Sequence, residues 1–437
     1  TLLKEPFNQL TGKQLPSGFD ASLVGMGFLL ILIVGFIAGI YPAIYLSKLK
    51  VISALRAKLS GNQKKNAFGR QALVFIQFTL SIMLITGTLI VGSQMDYALH
   101  KNLGYDRDNL VYFLREGRLI EDADAFNAAI GNIPGVLAVS KTNFSIGPNM
   151  QNRTMGLSWE EKSEDNQVAF WENKGDEKSV EILDLQLIAG RNFSNQFNEE
   201  NSVIFNETAI KAMGMENPIG KFVEHYSGKK EIIGVVQDFT TESLHNTMEP
   251  AMFFYRPDRT HYIMVKIAKG REIETIKKLE EIYKSYNPLY PFEPQFIDQD
   301  YQAMYAAEMR VATMSRLFAV LAILISCLGL FGLTIFQIQR KIKEIGIKKV
   351  LGADTWKLAV SMTYKFTKSV FAALVVALPV SYFIGSKWLE NYAESISLSW
   401  WMFGIAALVA IIISWITVGT QTLRAANANP VESLKDD

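Results

Sequence analysis

Five long apolar runs constrain the fold of this sequence more than any other feature. They span residues 23–46, 72–91, 317–336, 366–385 and 400–419, and Lys368 is the single charged residue within them. Each run is close to the roughly 20 residues that an α-helix needs to cross a bilayer. Five nearly uncharged helices of this length are not expected in one soluble core. We therefore predict a multi-pass α-helical membrane protein with five transmembrane helices in this chain.

Basic residues in the short linkers predict the orientation of these helices. Residues 47–71 hold seven Lys or Arg and no acid, and residues 337–365 hold seven Lys or Arg against Glu344 and Asp354. Because Lys and Arg are retained on the cytoplasmic side, both linkers are predicted to be cytoplasmic. Residues 92–315 then lie outside, and they are acidic, with 34 Asp or Glu against 23 Lys or Arg. Tyr392, Trp400 and Trp401 are predicted to lie at the outer membrane interface.

The outer block, residues 92–315, mixes strand-like and helix-like patterns. Residues 109–114, 231–239 and 261–268 are typical of strands, whereas residues 271–286 carry apolar side chains at helical spacing. This mixture over so long a block predicts an α+β extracytoplasmic domain of two lobes.

The two ends of the chain carry a weak repeat. Residues 45–58 align without gaps with residues 424–437, and both segments follow a predicted outside-to-inside span. We interpret residues 1–58 as the end of a unit whose complete copy is residues 315–437. We therefore expect the chain to be the C-terminal part of a longer protein, with a second copy of the basic segment after the third run located before Thr1.

Catalytic motifs are weak in this sequence. "GMENPIGKF" (214–222) has the wrong glycine spacing for a phosphate loop, and Phe222 stands where Ser or Thr is required, so we predict a turn that ends a helix. Asp238, Ser243 and His245 lack a nucleophile-elbow pattern. The spans contain Gln77 but almost no ionisable group, which disfavours a secondary transporter. We predict a non-catalytic chain without a cofactor or metal of its own.

The basic segment "RKIKEIGIKKVLGAD" (340–354) directly follows the third run. Apolar residues at helical spacing predict that the span continues into the cytoplasm as an amphipathic helix, with bends at Gly346 and Gly352 and an N-cap at Asp354. Ile347, Val350 and Leu351 would then be free to insert into a partner's groove. The alternative is a plain anchor whose lysines contact anionic lipid head groups.

"RKIKEIGIKKVLGA" closely resembles the segment after the second span of FtsX-like permease domains in the MacB-type class of ABC transporter permeases. "GYDRDNLVYF", "LIAGRNFS", "NPIGK" and "IIGVVQDFTTESLH" resemble the extracytoplasmic core domain of that class. The resemblance implies a permease of two units and eight spans, of which the last five are present here.

The implied organisation has six segments. These are an extracytoplasmic loop (1–22), a helix ending the first FtsX-like unit (23–46), a cytoplasmic linker (47–71), a helix (72–91), a MacB-like core domain (92–315) and an FtsX-like unit (316–437). Within the last segment the coupling segment is 337–365. The expected location is the bacterial inner membrane.

The resemblance also implies a cytoplasmic ABC ATPase subunit as partner, with ATP and Mg²⁺ bound on that partner. It would dock on Lys341, Glu344, Gly346, Lys348, Lys349, Leu351, Gly352 and Ala353. Other expected partners are the missing N-terminal permease half or a second permease, a periplasmic adaptor or outer-membrane protein, and membrane lipids, but no nucleic acid. The expected cargo is a peptide, a lipid, a lipoprotein or a drug. The alternative function is a membrane-anchored sensor or scaffold that signals without transport.

Overall fold

The computed structural model describes residues 8, 12, 21–47, 64–146, 153–160, 162, 167–351 and 353–427. The chain divides into two compact units. The helical unit comprises Thr1–Gly92, Met309–Trp388 and Ser397–Asp437, and the sheet unit comprises Ser93–Glu308 and Leu389–Ile396.

The described residues form nine α-helices. They are α1 (Ala21–Ser47), α2 (Lys64–His100), α3 (Ala123–Gly131), α4 (Glu207–Met213), α5 (Glu272–Tyr286), α6 (Ile297–Met304), α7 (Ala306–Val350), α8 (Thr355–Leu389) and α9 (Trp400–Asn427). Both α2 and α7 contribute residues to the helical unit and to the sheet unit.

Four of the predicted spans are confirmed as long apolar helices. The stretches Gln71–His100, Ala306–Gln339, Thr367–Leu389 and Trp400–Arg424 are long and apolar enough to cross a bilayer. In α1 the apolar stretch among the described residues is Val24–Phe36, which is shorter than a spanning helix needs. The chain is therefore a multi-pass helical protein, and its first span remains a prediction.

Apolar residues, most of them aliphatic or alanine, form the core of the helical unit. α2, α7, α8 and α9 bury Val74, Phe78, Ile82, Leu330, Leu333, Val370, Ala373, Leu374, Ala377, Ala406, Ala410 and Val418 against one another. Ser81 Oγ and Ser326 Oγ are hydrogen-bonded at 3.0 Å between α2 and α7. A Cβ at Gly329 would lie 2.3 Å from Gln77 Oε1, so a larger residue there would require the Gln77 side chain to shift.

The sheet unit contains one mixed sheet. Its strands are β1 (Leu110–Leu114), β2 (Val136–Thr142), β3 (Arg153–Thr154), β4 (Ser158–Trp159), β5 (Phe170–Gly175), β6 (Leu187–Gly190), β7 (Ser202–Asn206), β8 (Phe222–His225), β9 (Gly228–Val236), β10 (Ala251–Tyr255), β11 (Tyr262–Ile267) and β12 (Gln295–Phe296). The order is β12-β1-β11-β2-β5-β10-β7-β9-β8-β4, with β3 beside β5 and β6 beside β9.

The sheet carries two hydrophobic cores and therefore two lobes. In the first lobe, α3 and α5 pack on β1, β2 and β11, with Phe126 and Leu279 fully buried. In the second lobe, α4 packs on β7, β9 and β10. The lobes join where β2 meets β5, and this pairing rests on one residue pair, Thr142 with Gly175. The α+β character predicted for the outer block is confirmed.

The turn predicted at residues 214–222 is also confirmed. Gly214 follows the last residue of α4 with a φ of 67°, and its N–H donates to Ile210 O and Lys211 O. Gly220 has a φ of 83° in the turn that precedes β8. Glycine adopts this left-handed conformation without the steric cost that a Cβ imposes.

Candidate functional site

The basic segment after the third apolar run forms the end of α7 and a short turn. α7 is helical without interruption to Val350, and Leu351 N donates to Ile347 O at 3.0 Å. The sequence predicts a bend permitted by Gly346, and the backbone at this residue is helical. A glycine permits a bend but does not impose one, and its Ile, Lys and Glu neighbours tolerate the helix well. α7 ends at Val350 and α8 begins at Thr355.

Two apolar side chains are exposed at this turn. Leu351 is 79% exposed, and Ile347, one helical turn earlier, is 53% exposed. Ala353 is half-buried. The other predicted coupling residues in α7 are described by their backbone alone: Lys341, Glu344, Gly346, Lys348 and Lys349. Gly352 lies outside the described residues, so contact of this segment with an ATPase stays a prediction.

A second candidate site lies inside the sheet unit, where the loop Leu389–Ile396 between α8 and α9 joins the residues of the outer block. We call this group the loop junction. It is defined by Gln94, His245, Tyr301, Tyr305, Glu308, Tyr392 and Glu394. These residues come from the end of α2, the chain after β9, α6 with the start of α7, and the loop itself.

Gln94 fixes the backbone of the loop. Its side chain is fully buried, with Nε2 donating to Glu394 O at 3.3 Å and Oε1 accepting from Ile396 N at 2.9 Å. Glu394 N also donates to Leu244 O at 3.2 Å, and the Glu394 carboxylate pairs with Lys101. Because the amide uses both its donor and its acceptor on one short segment, it restrains the backbone of that segment at two points.

His245 packs against the same loop. Its ring stacks on Tyr392, with centroids 4.0 Å apart and planes inclined by 26°. His245 Nδ1 lies 2.9 Å from Asn391 O, and its Nε2 lies 3.4 Å from Glu308 Oε1. A carbonyl oxygen only accepts, so Nδ1 carries the hydrogen in this contact. Burial, aided by the nearby Glu308 carboxylate, raises the pKa of Tyr392 to about 12.

Tyr392 is therefore buried inside the sheet unit and does not act as an anchor in an aromatic belt. The Tyr392 ring is covered because it stacks on His245. The residues around Tyr392 in the sequence do not indicate this long-range contact. Trp400, by contrast, is exposed at the start of α9.

Two buried tyrosines complete the loop junction. Tyr305 Oη accepts from Leu244 N at 2.8 Å, and Tyr301 Oη donates to Ala98 O at 2.9 Å. The guanidinium of Arg107 lies over the ring of Tyr301 at 4.5 Å. Burial raises the pKa of both tyrosines, so both hydroxyls stay protonated at neutral pH. The Tyr301 bond joins α6 to the end of α2. The Tyr305 bond joins the segment between α6 and α7 to Leu244, whose carbonyl oxygen accepts from Glu394 N of the loop.

Asp238 and His245 do not form a catalytic arrangement with Ser243. The Asp238 carboxylate accepts from Thr208 N at 2.7 Å and from Thr208 Oγ1 at 2.9 Å. The ring of His245 instead faces Asn391 and Glu308. Among the residues that the structure describes, no group of three or more His, Cys, Asp or Glu side chains could hold a metal ion.

Two family models match the chain. Residues 316–430 match the model described as FtsX-like permease C-terminal, and residues 74–281 match the model described as MacB-like periplasmic core domain. The two matches follow one another along the chain and together include the loop-junction residues 94 and 245 as well as the basic turn.

Some solved structures are similar to part of this chain. One is the periplasmic region of MacB from Actinobacillus actinomycetemcomitans, at 19% identity over 48% of this chain and 98% of that chain, with a TM-score of 0.34. Another is the extracellular domain of the noncanonic ABC-type transporter YknZ from Gram-positive bacteria, at 14% identity over 43% and 97% of the two chains, with a TM-score of 0.31. With TM-scores this low, the family relationship rests on the two family models. No curated protein matches the chain.

Proposed function

Because this chain belongs to the FtsX-like, MacB-type class of ABC transporter permeases, we propose that it couples ATP hydrolysis by a separate cytoplasmic ATPase to movement of its sheet unit. Permeases of this class work with a cytoplasmic ABC ATPase. The movement would serve export or extraction of a peptide, a lipid, a lipoprotein or a drug. The observation that carries the proposal is the continuity of α2 and α7, since each helix supplies residues to both units.

The proposed topology has five spans and an extracytoplasmic sheet unit. The basic linkers 47–71 and 337–365 support a cytoplasmic location for the turn after α7. α1 would provide the first of these spans. The proposed location is the bacterial inner membrane, and the proposed further partner is a second permease half.

The proposed ATPase contact is the turn after α7. Exposed apolar side chains at Ile347 and Leu351 provide a surface that a partner can cover. The basic residues nearby, including Lys348 and Lys349, favour an acidic partner surface. ATP and Mg²⁺ would remain on the ATPase, so this chain needs no catalytic group or cofactor of its own.

Reconstitution with the partner ATPase tests this function. The full-length permease and its ATPase would be placed in vesicles, and release of candidate cargo would be followed with ATP and with a non-hydrolysable analogue. We expect ATP-dependent release of the cargo. An ATPase variant that binds ATP but cannot hydrolyse it should abolish this release. Tight binding of a ligand by the sheet unit without any ATP-dependent release would instead support a sensor or scaffold.

A further inference from the structure

The helical unit contains an apolar groove of about 380 Å³ between α8 and α9. The residues that line it and that carry the argument below are Tyr364, Thr367 and Phe371 of α8 and Trp415, Gly419 and Leu423 of α9. The side chains of Tyr364, Phe371 and Trp415 are exposed, so the groove is open to whatever surrounds the helices.

The groove lies at one end of two membrane-spanning stretches. The apolar stretch of α8 begins at Thr367, and that of α9 ends at Arg424, one residue after Leu423. The ends of such stretches mark the boundary at which lipid acyl chains meet the head groups, and Tyr and Trp are enriched there. The groove therefore faces both parts of a phospholipid.

The shape of the groove depends on a glycine. Trp415 and Leu423 lie one helical turn before and one turn after Gly419, on the same face of α9. A Cβ at Gly419 would have no atom within 4 Å, so the glycine leaves a gap between two large side chains. Trp415 Nε1 donates to Thr367 Oγ1 at 3.2 Å, which fixes the indole across the groove.

A cation lies beside this groove. Lys368 is the single charged residue within the five apolar runs, and its side chain is exposed. Its Nζ lies 5.4 Å from the centroid of the Tyr364 ring, which itself lines the groove. Charged side chains within a span are energetically costly and mark functional sites by default. The proposed ATPase contact makes no use of Lys368.

The charge at this end of the helices is positive. Arg424 is exposed at the end of the α9 stretch. The described residues that line the groove include no Asp or Glu, and the five apolar runs contain none either. A second copy of this chain would therefore cover the groove with an uncharged span and bring no carboxylate to Lys368. A phospholipid with a negative head group supplies both an apolar chain and an anion.

We propose that the groove between α8 and α9 binds an anionic phospholipid. One acyl chain lies in the groove against Gly419, and the phosphate of the head group pairs with the Lys368 ammonium. The site goes beyond the proposed function and does not depend on it, because lipid binding requires neither ATP nor the ATPase.

Trp415 provides a reporter inside the groove. The full chain would be placed in nanodiscs that contain increasing fractions of brominated phosphatidylglycerol or brominated phosphatidylcholine, since bromine quenches an indole that it contacts. Subtracting the signal of Trp415→Phe isolates Trp415. We expect half-quenching at an about fivefold lower fraction of phosphatidylglycerol, the preference that one lysine provides. Equal quenching by the two lipids, or none by either because protein covers the groove, would overturn the proposal.

A charge-neutral variant locates the head group. Lys368→Gln should abolish the preference, so that both brominated lipids quench Trp415 at the same fraction. Lys387→Gln is the matched control, because it removes the same charge from an exposed position near the other end of α8 and should leave the preference intact. A Lys368→Gln variant that kept the fivefold preference would show that the phosphate binds elsewhere.

A groove-filling variant locates the acyl chain. Gly419→Leu places a side chain in the open gap, so quenching of Trp415 by phosphatidylglycerol should require a several-fold higher fraction of that lipid. Gly404→Leu makes the same change at another open position of α9 and should have no effect. Unchanged quenching in Gly419→Leu would mean that no acyl chain occupies the groove.

Discussion

The two ends of α7 differ in how they are held. At its start, Glu308 contacts His245, and the preceding Tyr305 is fully buried and hydrogen-bonded to Leu244. At its other end, Ile347 and Leu351 expose apolar side chains. The first end is fixed by contacts within this chain, whereas the second has the composition of a surface that a partner covers. Under the docking proposal, one end of this helix is held within the chain and the other end is held by a partner.

The largest expected effect is on association with the partner ATPase, at the exposed C-terminal end of α7. Leu351→Asp should weaken association with the partner ATPase by roughly 100-fold, because a carboxylate would be buried without a partner at a cost of about 3 kcal/mol. Co-purification and ATPase stimulation would measure the loss. Ile273→Asp is the matched control, since Ile273 is 88% exposed on α5 in the other unit. Intact association in Leu351→Asp would contradict the docking proposal.

The next largest expected effect is on the stability of the sheet unit, at Gly104. Gly104 has a φ of 86°, and a Cβ there would lie 2.3 Å from Asp238 O. Gly104→Ala should therefore lower the free energy of unfolding by more than about 2 kcal/mol, from strain and the clash together. Gly214→Ala has a similar φ but open space around it, so it should cost only about 1 kcal/mol. Urea unfolding followed by tryptophan fluorescence compares the two, and equal losses would show that the close contact is unimportant.

Removing the Gln94 amide should release the loop. Gln94→Ala leaves Glu394 O and Ile396 N without their buried partner, at about 1–3 kcal/mol for each group. Amide hydrogen exchange at Ile396 should accelerate at least about tenfold, while exchange in β1 stays unchanged. Gln196→Ala, at an exposed position, serves as the control. Unchanged protection at Ile396 would mean that other contacts fix the loop.

Tyr305→Phe should have the smallest effect. The change removes the oxygen that accepts from Leu244 N and retains the buried ring, so we expect a loss of about 1–2 kcal/mol in unfolding free energy. Tyr290→Phe removes a hydroxyl from a more exposed tyrosine and should be close to neutral. A Tyr305→Phe variant as stable as the parent chain would show that the Leu244 amide finds another acceptor.

Patterns within short windows predicted much of the fold. Apolar runs located the cores of α2, α7, α8 and α9, and strand patterns located β1, β9 and β11, because hydrophobic periodicity is a local signal. The unbroken helix through Gly346 could not be predicted from the glycine, because glycine is compatible with both a continuous helix and a break.

The loop junction had no comparable signal. Gln94 bonds to residues about 300 positions later in the chain, and no short pattern links a glutamine after one apolar run to a loop between two others. The stacking of His245 on Tyr392 depends on the same long-range contact. The predicted coupling residues were located by resemblance, and their partner contacts depend on a second protein.

The two lobes of the sheet differ in when they can be completed during synthesis. All the strands of the second lobe, β3 to β10, lie between β2 and β11 in the sequence. The first lobe instead places β11 between β1 and β2. Since domains form as the chain emerges from the ribosome, the second lobe can assemble while β1 and β2 still lack the strand that joins them. The contacts of Asp176 with Ser140 and Lys141 then join the second lobe to β2, which is already synthesised by that stage.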